Sequence, residues 1–246
     1  MTTRGSGAYV GQALRTIEGR APVTGSARYT ADFRFDGQAY VHIVRSPHAA
    51  ATIRRVDLDA AHRVAGVIDA IDGAIAAAIS NPIPHYIDAA VFGGKTTDVR
   101  PLALDQVVYY GQPVAAVLAE DPATARDAAE RIKVDYEPLP AVVEIEDALA
   151  DGARSVVPGW DDNTIMQVPF QNGDFEAAAE QADRVVATRV RIHRFSTQPI
   201  ETRGYNAVWD AQNQGITLYA TAQNPHPLRH VLANTLRLPE NRIRIV

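Results

Sequence analysis

The fold is best predicted from residues 107–140, which read VVYYGQPVAAVLAEDPATARDAAERIKVDYEPLP. Residues 107–119 contain two runs of β-forming side chains separated by Gly111, and each run predicts a strand. The alanine-rich residues 121–131 predict a helix, because their second residue is a proline, which is favoured in a first helical turn. Residues 133–137 alternate between polar and apolar positions, which predicts another strand. The stretch therefore has the order of a compact domain that mixes strands with helices.

The residues before this stretch extend the same pattern. Residues 1–24 are rich in Gly, Thr and Arg without a clear period, which predicts an extended arm. Residues 72–106 are predicted to be mostly loop, although they include the alanine-rich residues 74–79, because they also contain three prolines and a Gly-Gly pair. We place the end of this domain near Val143. Its remaining elements are predicted strands at residues 38–45, 51–57 and 67–71 and a helical turn at residues 58–64.

A second unit is predicted to follow a linker. Residues 144–173 carry two prolines and few periodic apolar positions, which is typical of a segment that crosses the surface. Residues 174–246 contain two predicted helices, at 174–181 and 226–236, and four predicted strands, at 184–193, 205–209, 216–222 and 242–246. The predicted fold class is therefore α+β. Because the last apolar strand reaches Val246 without a turn or cap, this unit is expected to be incomplete.

Composition and charge exclude several classes of protein. With 46% hydrophobic and 22% charged residues, the chain has the composition of a globular protein. Its net charge of −5 argues against nucleic-acid binding, which normally requires a basic face. The chain has no cysteine, so any iron–sulfur cluster must lie on another chain. Neither a signal-peptide core nor an apolar stretch of about 20 residues is evident, so we expect a cytoplasmic protein without a membrane span.

Four segments, taken in order, resemble the molybdenum hydroxylase family, which includes xanthine dehydrogenase, aldehyde oxidase and aerobic carbon monoxide dehydrogenase. The segments are residues 25–32 with 44–49 (VRSPHA), residues 111–115 (GQPVA) with 135–140 (DYEPLP), residues 200–204 (IETRG), and residues 222–226 (AQNPH) with 238–240 (LPE). Two positions depart from the family pattern. Ala50 stands where a second histidine is common, and Thr202 replaces the usual proline.

The resemblance implies an a/b hammerhead domain at residues 25–143, followed by the incomplete start of a molybdopterin-binding domain at residues 174–246. The glycine-rich GGGFG loop and the catalytic glutamate of the family come later in its members. No catalytic residue and no direct metal ligand are therefore expected in this chain. The resemblance also implies a shared molybdopterin cofactor, a further C-terminal molybdopterin-binding chain or region, and partner subunits that hold iron–sulfur clusters and FAD.

Gln223 is the one residue for which the resemblance implies contact with the cofactor. Glutamine at this place in the family donates its side-chain amide to an oxygen ligand of molybdenum, a role that suits a neutral donor. The alternative is a glutamine that simply ends a strand at the surface. We expect the first role, because the neighbouring Asn224, Pro225 and His226 also match the family.

Other chemically suggestive residues are expected to have structural roles. Glu201 is close enough in sequence to pair with Arg203, and the resemblance places the catalytic base elsewhere. His226 and His230 have a zinc-compatible spacing on a helix, but no third ligand with an accompanying glutamate is evident. Residues 92–96 (FGGKT) lack the earlier glycine that a phosphate-binding loop requires.

The resemblance implies a portion of the molybdenum-binding subunit of an oxidoreductase acting on aldehydes, N-heterocycles, purines or carbon monoxide. Such a portion is expected to be inactive without the missing C-terminal region. The substrate stays open, because the family's substrate pocket is formed largely by segments that are absent here. The alternative is a non-catalytic hammerhead module for binding or assembly, which metal analysis and the adjoining coding sequence would distinguish.

Overall fold

The computed structural model describes residue 9 and residues 11–85 and 89–246. Within those ranges the chain forms three three-stranded sheets, seven α-helices and three short 3-10 helices. The strands are β1 (Tyr40–Arg45), β2 (Ala51–Asp57), β3 (Val67–Asp72), β4 (Gln106–Val107), β5 (Pro113–Ala119), β6 (Lys133–Pro138), β7 (Tyr205–Asp210), β8 (Gly215–Ala220) and β9 (Ile243–Ile245). The α-helices are α1 (Arg20–Val23), α2 (Asp59–His62), α3 (Gly73–Ile79), α4 (Pro122–Ala129), α5 (Ile145–Ala148), α6 (Phe175–Glu180) and α7 (Pro225–Leu236). The 3-10 helices span Thr30–Asp32, Ala89–Phe92 and Glu240–Arg242.

The first sheet has the order β1-β5-β3, with β5 antiparallel to both neighbours. β5 is the central strand of this sheet, and its Val114, Ala115 and Val117 are completely buried. Helix α4 packs against the sheet through Ala128 and Ala129, which share a core cluster with Ala115 and Val117. Small alanine side chains allow the helix to approach the sheet closely, and dense packing of this kind stabilises a core.

The second sheet has the order β4-β2-β6 and is antiparallel throughout. Ala51 of β2 and Val107 of β4 are completely buried and cluster with Ala103 and with Val114 from the first sheet. The two sheets therefore share one hydrophobic core, which agrees with the compact first domain that residues 107–140 predict.

The third sheet, of order β7-β8-β9, belongs to the second unit. β7 and β8 form an antiparallel hairpin, whereas β8 and β9 run parallel. A parallel pair needs a crossover connection, and α7 supplies it. The chain leaves β8 at Ala220 and enters α7 at Pro225, so residues 221–224 form the loop at one edge of this sheet.

The α+β fold class is confirmed, but three of the predicted elements are wrong. Residues 73–79 form α3 instead of loop, because the Asp72 carboxylate accepts the backbone N–H of Ile75 at 2.9 Å and caps the alanine-rich run. β4 ends at Val107 and does not reach residue 110. The cause is the Gln112 side chain, whose Oε1 accepts the N–H of Val108 at 2.7 Å in place of a neighbouring strand.

The third error is the long strand predicted at residues 184–193, where the structure has neither helix nor strand. A strand exists only when its backbone groups pair with a neighbouring strand. The described ranges supply no such neighbour to this segment. Residues 184–193 therefore have the alternating sequence of a strand but do not form one.

One smaller difference concerns the N-terminal arm. The predicted extended arm contains the short helix α1, while residues 1–8 and 10 lie outside the described residues. Across the described part of the chain, no helix combines the length and the hydrophobicity needed to cross a bilayer.

Candidate functional site

Gln223 lies in the loop between β8 and α7, and its side chain is exposed. Among the described residues, no hydrogen bond engages its carboxamide. A free carboxamide can offer two N–H donors to a ligand. Both roles considered for Gln223, contact with the cofactor and the end of a strand at the surface, are open to a side chain in this position.

The N-terminus of α7 follows Gln223 directly and changes which donors are available there. Asn224 precedes the helix but makes no side-chain capping bond, and Pro225 occupies the first turn. Pro225 and Pro227 have no backbone N–H, so of the first three helical residues only His226 can donate one. The helix end also carries a partial positive charge. The loop thus presents neutral donors beside a weakly positive helix end, which suits an electron-rich ligand atom.

Glu201 supports the base of this loop. Its Oε1 accepts the backbone N–H of Thr30 at 3.2 Å and the hydroxyl groups of Thr30 at 3.4 Å and Thr221 at 3.3 Å. The two threonine hydroxyls are also 3.0 Å apart. Thr221 is two residues before Gln223, so Glu201 holds the start of the loop. The structural role expected for Glu201 agrees with these contacts, but the expected partner Arg203 is wrong, because the carboxylate faces the threonines.

Aromatic residues of the N-terminal segment cover the strand that leads into the loop. The rings of Phe33 and Phe35 lie 5.1 Å and 5.2 Å from the ring of Tyr219, measured between centroids. Arg28 stacks its guanidinium 4.6 Å from the centroid of Phe33. Nearby, the side chain of Asn206 donates to the backbone oxygen of Thr30 at 2.8 Å. Residues 28–35 therefore pack on the third sheet, although they precede the strands of the first unit in the chain.

Arg237 fixes the other end of α7 to the first unit. Its backbone is left-handed, with φ 57° and ψ 36°, at the position after a helix where glycine is usual. Its guanidinium donates to Asn81 Oδ1 at 2.9 Å and to the backbone oxygens of Ala78 at 3.2 Å and Ser80 at 3.0 Å. Asn81 also donates its backbone N–H to the carbonyl oxygen of Thr235 at 2.8 Å. We call this set of contacts the Arg237 clasp.

We expect Arg237→Ala to lower the free energy of unfolding by about 2 kcal/mol, because three bonds from a charged donor are lost and only partly replaced by water. Arg237→Gly loses the same bonds but also removes the left-handed strain, which costs an alanine about 1 kcal/mol. The glycine variant should therefore be about 1 kcal/mol more stable than the alanine variant in urea titrations. Unfolding midpoints that match the unsubstituted chain in both variants would show that the Arg237 clasp contributes nothing to stability.

Residues 92–96, which do not have the sequence of a phosphate-binding loop, include a lysine that binds two aspartates. Lys95 Nζ binds the carboxylates of Asp161 at 2.5 Å and Asp162 at 2.7 Å, and lies 5.3 Å from the ring centroid of Trp160. The hydrogen bonds to these carboxylates raise the pKa of Lys95, and the bond from Lys95 lowers the pKa of each aspartate. The ammonium group is thus engaged by the segment after α5, which agrees with rejecting a phosphate site.

The two histidines of α7 have different surroundings. His230 Nδ1 lies 2.7 Å from Glu240 Oε1, and this contact is the main cause of a lowered pKa for the Glu240 carboxyl. His226 lies exposed in the first turn of the helix. In the ranges that the structure describes, no group of three His, Cys, Asp or Glu side chains could hold a metal ion.

A cleft of about 950 Å³ lies between the first unit and the segment after α5, apart from the loop that carries Gln223. Its walls include Tyr109, Gln112 and Trp160, and Gln223 does not line it. Gln223 and Asn224 are exposed, so a ligand held at their loop would need further walls.

Sequence reasoning missed the residues that hold the loop in place. Thr30 and Thr221 belong to no recognisable functional motif, and their contact joins positions that are 191 residues apart in the sequence. Asn81 and Arg237 are likewise distant in sequence, at 156 residues. No local signal marks Arg237, because the left-handed residue that ends many helices is usually glycine.

Comparison with known proteins identifies two domains in the chain. Residues 24–140 match the family model described as aldehyde oxidase and xanthine dehydrogenase, a/b hammerhead domain, and residues 157–246 match the molybdopterin cofactor-binding domain. Gln223, Glu201 and the whole of α7 fall within the second match.

Individual relatives agree with these matches. The 6-hydroxypseudooxynicotine dehydrogenase complex subunit gamma of Paenarthrobacter nicotinovorans is 32% identical over 97% of this chain and 30% of the relative. The nicotinate dehydrogenase large molybdopterin subunit of Eubacterium barkeri is 31% identical over 94% of this chain and 51% of the relative. The crystal structure of quinoline 2-oxidoreductase from Pseudomonas putida 86 superimposes with a TM-score of 0.86 and 31% identity, over 96% of this chain and 30% of that one.

The chain thus spans between about a third and a half of the length of these relatives. The order of the two matched domains is the order that the four sequence segments predict, and the fold superimposes over nearly the entire chain. The chain therefore belongs to the molybdenum hydroxylase family of xanthine dehydrogenase and aldehyde oxidase.

Proposed function

We propose that this chain supplies the hammerhead domain and the first part of the molybdopterin-binding domain of a molybdenum-dependent oxidoreductase. The observation that carries the proposal is the exposed carboxamide of Gln223 within the residues that match the cofactor-binding domain. Its reaction class is the hydroxylation or dehydrogenation of aldehydes, N-heterocycles, purines or carbon monoxide. Relatives named for a hydroxypseudooxynicotine, nicotinate and quinoline support an enzyme of this class.

The donors at the β8–α7 loop fit one edge of the cofactor. Gln223 offers a neutral amide, and the adjacent end of α7 offers the N–H of His226 with a partial positive charge. Such donors can orient an electron-rich group without transferring a proton to it. When bound, the molybdenum cofactor supplies the two-electron redox chemistry, and the residues of this chain orient and support it.

Glu201 and Thr30 act in this proposal as positioning residues. The carboxylate binds the hydroxyl of Thr221 at the start of the loop, and Thr30 approaches from the N-terminal segment. A loop whose start is held by Glu201 and whose other end continues into α7 keeps Gln223 in a narrow range of positions. Preorganised donors are more effective than donors that must be ordered when the ligand binds.

The proposal requires further protein. A single face of donors cannot enclose a cofactor, so a further molybdopterin-binding chain or region is the first partner. The chain has no cysteine, so the iron–sulfur clusters that pass electrons onward belong to a separate subunit, and FAD to another. We further propose an arm at residues 1–24, the hammerhead domain at 25–143, a linker at 144–173 and the first part of the molybdopterin-binding domain at 174–246.

Metal analysis of the chain in two states tests the proposal. The 246-residue chain purified alone is expected to hold no stoichiometric molybdenum, because most groups that would enclose the cofactor are contributed by the further region. The same chain purified within the complete enzyme is expected to carry it. Stoichiometric molybdenum in the isolated chain would contradict the shared site, and a complete complex without molybdenum would contradict the proposed function.

A further inference from the structure

The strongest unexplained feature is the segment of residues 184–195, which we call the open segment. Its apolar side chains are turned to solvent, with 76% of Val190, 81% of Ile192 and 81% of Phe195 exposed. Exposed apolar side chains in a continuous run mark an interaction surface far more often than isolated ones do. The sequence of the open segment predicts a strand, and the described residues give it no strand to pair with.

Two ion pairs hold one side of the open segment. Arg189 binds Glu146, and Arg191 binds Glu144. Because the arginines and the glutamates are each two residues apart, and pair in reverse order, the two short stretches run antiparallel. Side chains two residues apart share a face in an extended chain. Arg189 and Arg191 therefore face the start of α5.

The other side of the open segment is free to accept a partner. Val190 and Ile192 alternate with the paired arginines, so an extended chain places them on the opposite face. In the described ranges no backbone hydrogen bond engages residues 184–195. Free backbone donors and acceptors next to exposed apolar side chains are the features by which a peptide strand adds to another.

We propose that the open segment is a docking strand, completed by a β-strand from the remaining part of the molybdenum-binding subunit. This inference rests on the proposed function, which requires such a part. The relatives are two to three times as long as this chain, so they contain the additional polypeptide that could supply the strand. The partner strand is expected to carry apolar residues toward Val190 and Ile192.

Charge further limits the occupant. Among the described residues, Arg184 and Arg194 have no ion pair, although the chain as a whole has a net charge of −5. Carboxylates flanking the partner strand would complement them. A second copy of this chain is less favourable, because an antiparallel pair centred on Val190 places Arg189 of one copy opposite Arg191 of the other. Like charges directly opposite one another destabilise a sheet.

Hydrogen–deuterium exchange followed by mass spectrometry tests the docking strand. Amides of residues 185–195 are expected to exchange on the order of 100-fold more slowly in the complete enzyme than in the isolated chain, as paired strands do relative to open ones. Val190→Asp should abolish this protection, since it places a charge in the seam. Val91→Asp is the matched control, because Val91 is 78% exposed and lies outside the open segment.

The outcomes separate this inference from the proposed function. A complete enzyme that holds molybdenum but leaves residues 185–195 unprotected would overturn the docking strand and leave the proposed function standing. Protection already present in an isolated chain of dimeric mass would also overturn it, in favour of a second copy. Protection that is lost in Val190→Asp and kept in Val91→Asp would support it.

Discussion

Replacing Gln223 with alanine is expected to lower the turnover number of the complete enzyme by about 10- to 100-fold, the range typical when a supporting contact at a metal site is lost. The carboxamide is exposed, and the described residues leave it without a partner, so its removal disturbs the fold little. What is lost is a neutral donor in a site where few waters can replace it. Gln223→Glu should be at least as harmful, because a carboxylate repels an electron-rich group unless it takes up a proton.

The measurement is steady-state turnover, normalised to molybdenum content, with the unfolding midpoint recorded for each variant. Gln212→Ala is a matched control, since Gln212 is also an exposed glutamine but lies in the β7–β8 turn. Its turnover should equal that of the unsubstituted enzyme. If Gln223→Ala and Gln223→Glu both kept full turnover at full molybdenum occupancy, Gln223 would be a surface residue that ends a strand.

Gly73→Ala is expected to lower the free energy of unfolding by about 3 kcal/mol, at the upper end of the range for overpacked cores. Gly73 is buried at the start of α3. A Cβ atom added at Gly73 would clash with the carbonyl oxygen of Ala103. It would also lie 2.7 Å from the carbonyl carbon of Ala103 and 2.9 Å from Leu104 Cα. These are backbone atoms, which cannot rotate away as a flexible side chain could, so either α3 or the loop at residues 103–104 must shift.

A urea titration measures this effect as a lower midpoint with an unchanged slope. Gly93→Ala provides the comparison, because Gly93 has a φ of +75° but no heavy atom within 4 Å of a new Cβ. That variant should lose only about 1 kcal/mol, the cost of a left-handed alanine. Equal losses in the two variants would show that the contact with Ala103 relaxes without cost.

The elements that could be predicted are those whose signals are local. Within residues 107–140, Gly111 marks the start of β5, Pro122 marks the start of α4, and alternation of polar and apolar residues predicts β6. The structure has all three elements within two residues of the expected bounds. The helix α3 was missed because its alanines stand among prolines, and the deciding contact is a single carboxylate cap from Asp72. A prediction from local composition does not include a single capping hydrogen bond such as the one that Asp72 accepts.

The candidate loop shows the same division. Gln223 could be identified from a resemblance in sequence, and its role stays a prediction. The contact between Glu201 and Thr30, by contrast, joins residues that are 171 positions apart in the sequence. The residues adjacent to each of them form no motif that predicts this contact. The open segment is a different kind of case. Its alternation predicts a strand that the structure does not have, because periodicity cannot say whether a neighbouring strand is present to pair with it.

The packing of Phe33 and Phe35 on Tyr219 affects how this protein could be recombined. The two phenylalanines precede the hammerhead strands in the chain, yet their rings lie on the third sheet. A chimera joined between the two units would set Tyr219 of one parent beneath rings inherited from the other. The residues that must be exchanged together therefore lie in two separate stretches of sequence. Taking both units from the same parent is the simplest way to keep Phe33, Phe35 and Tyr219 matched.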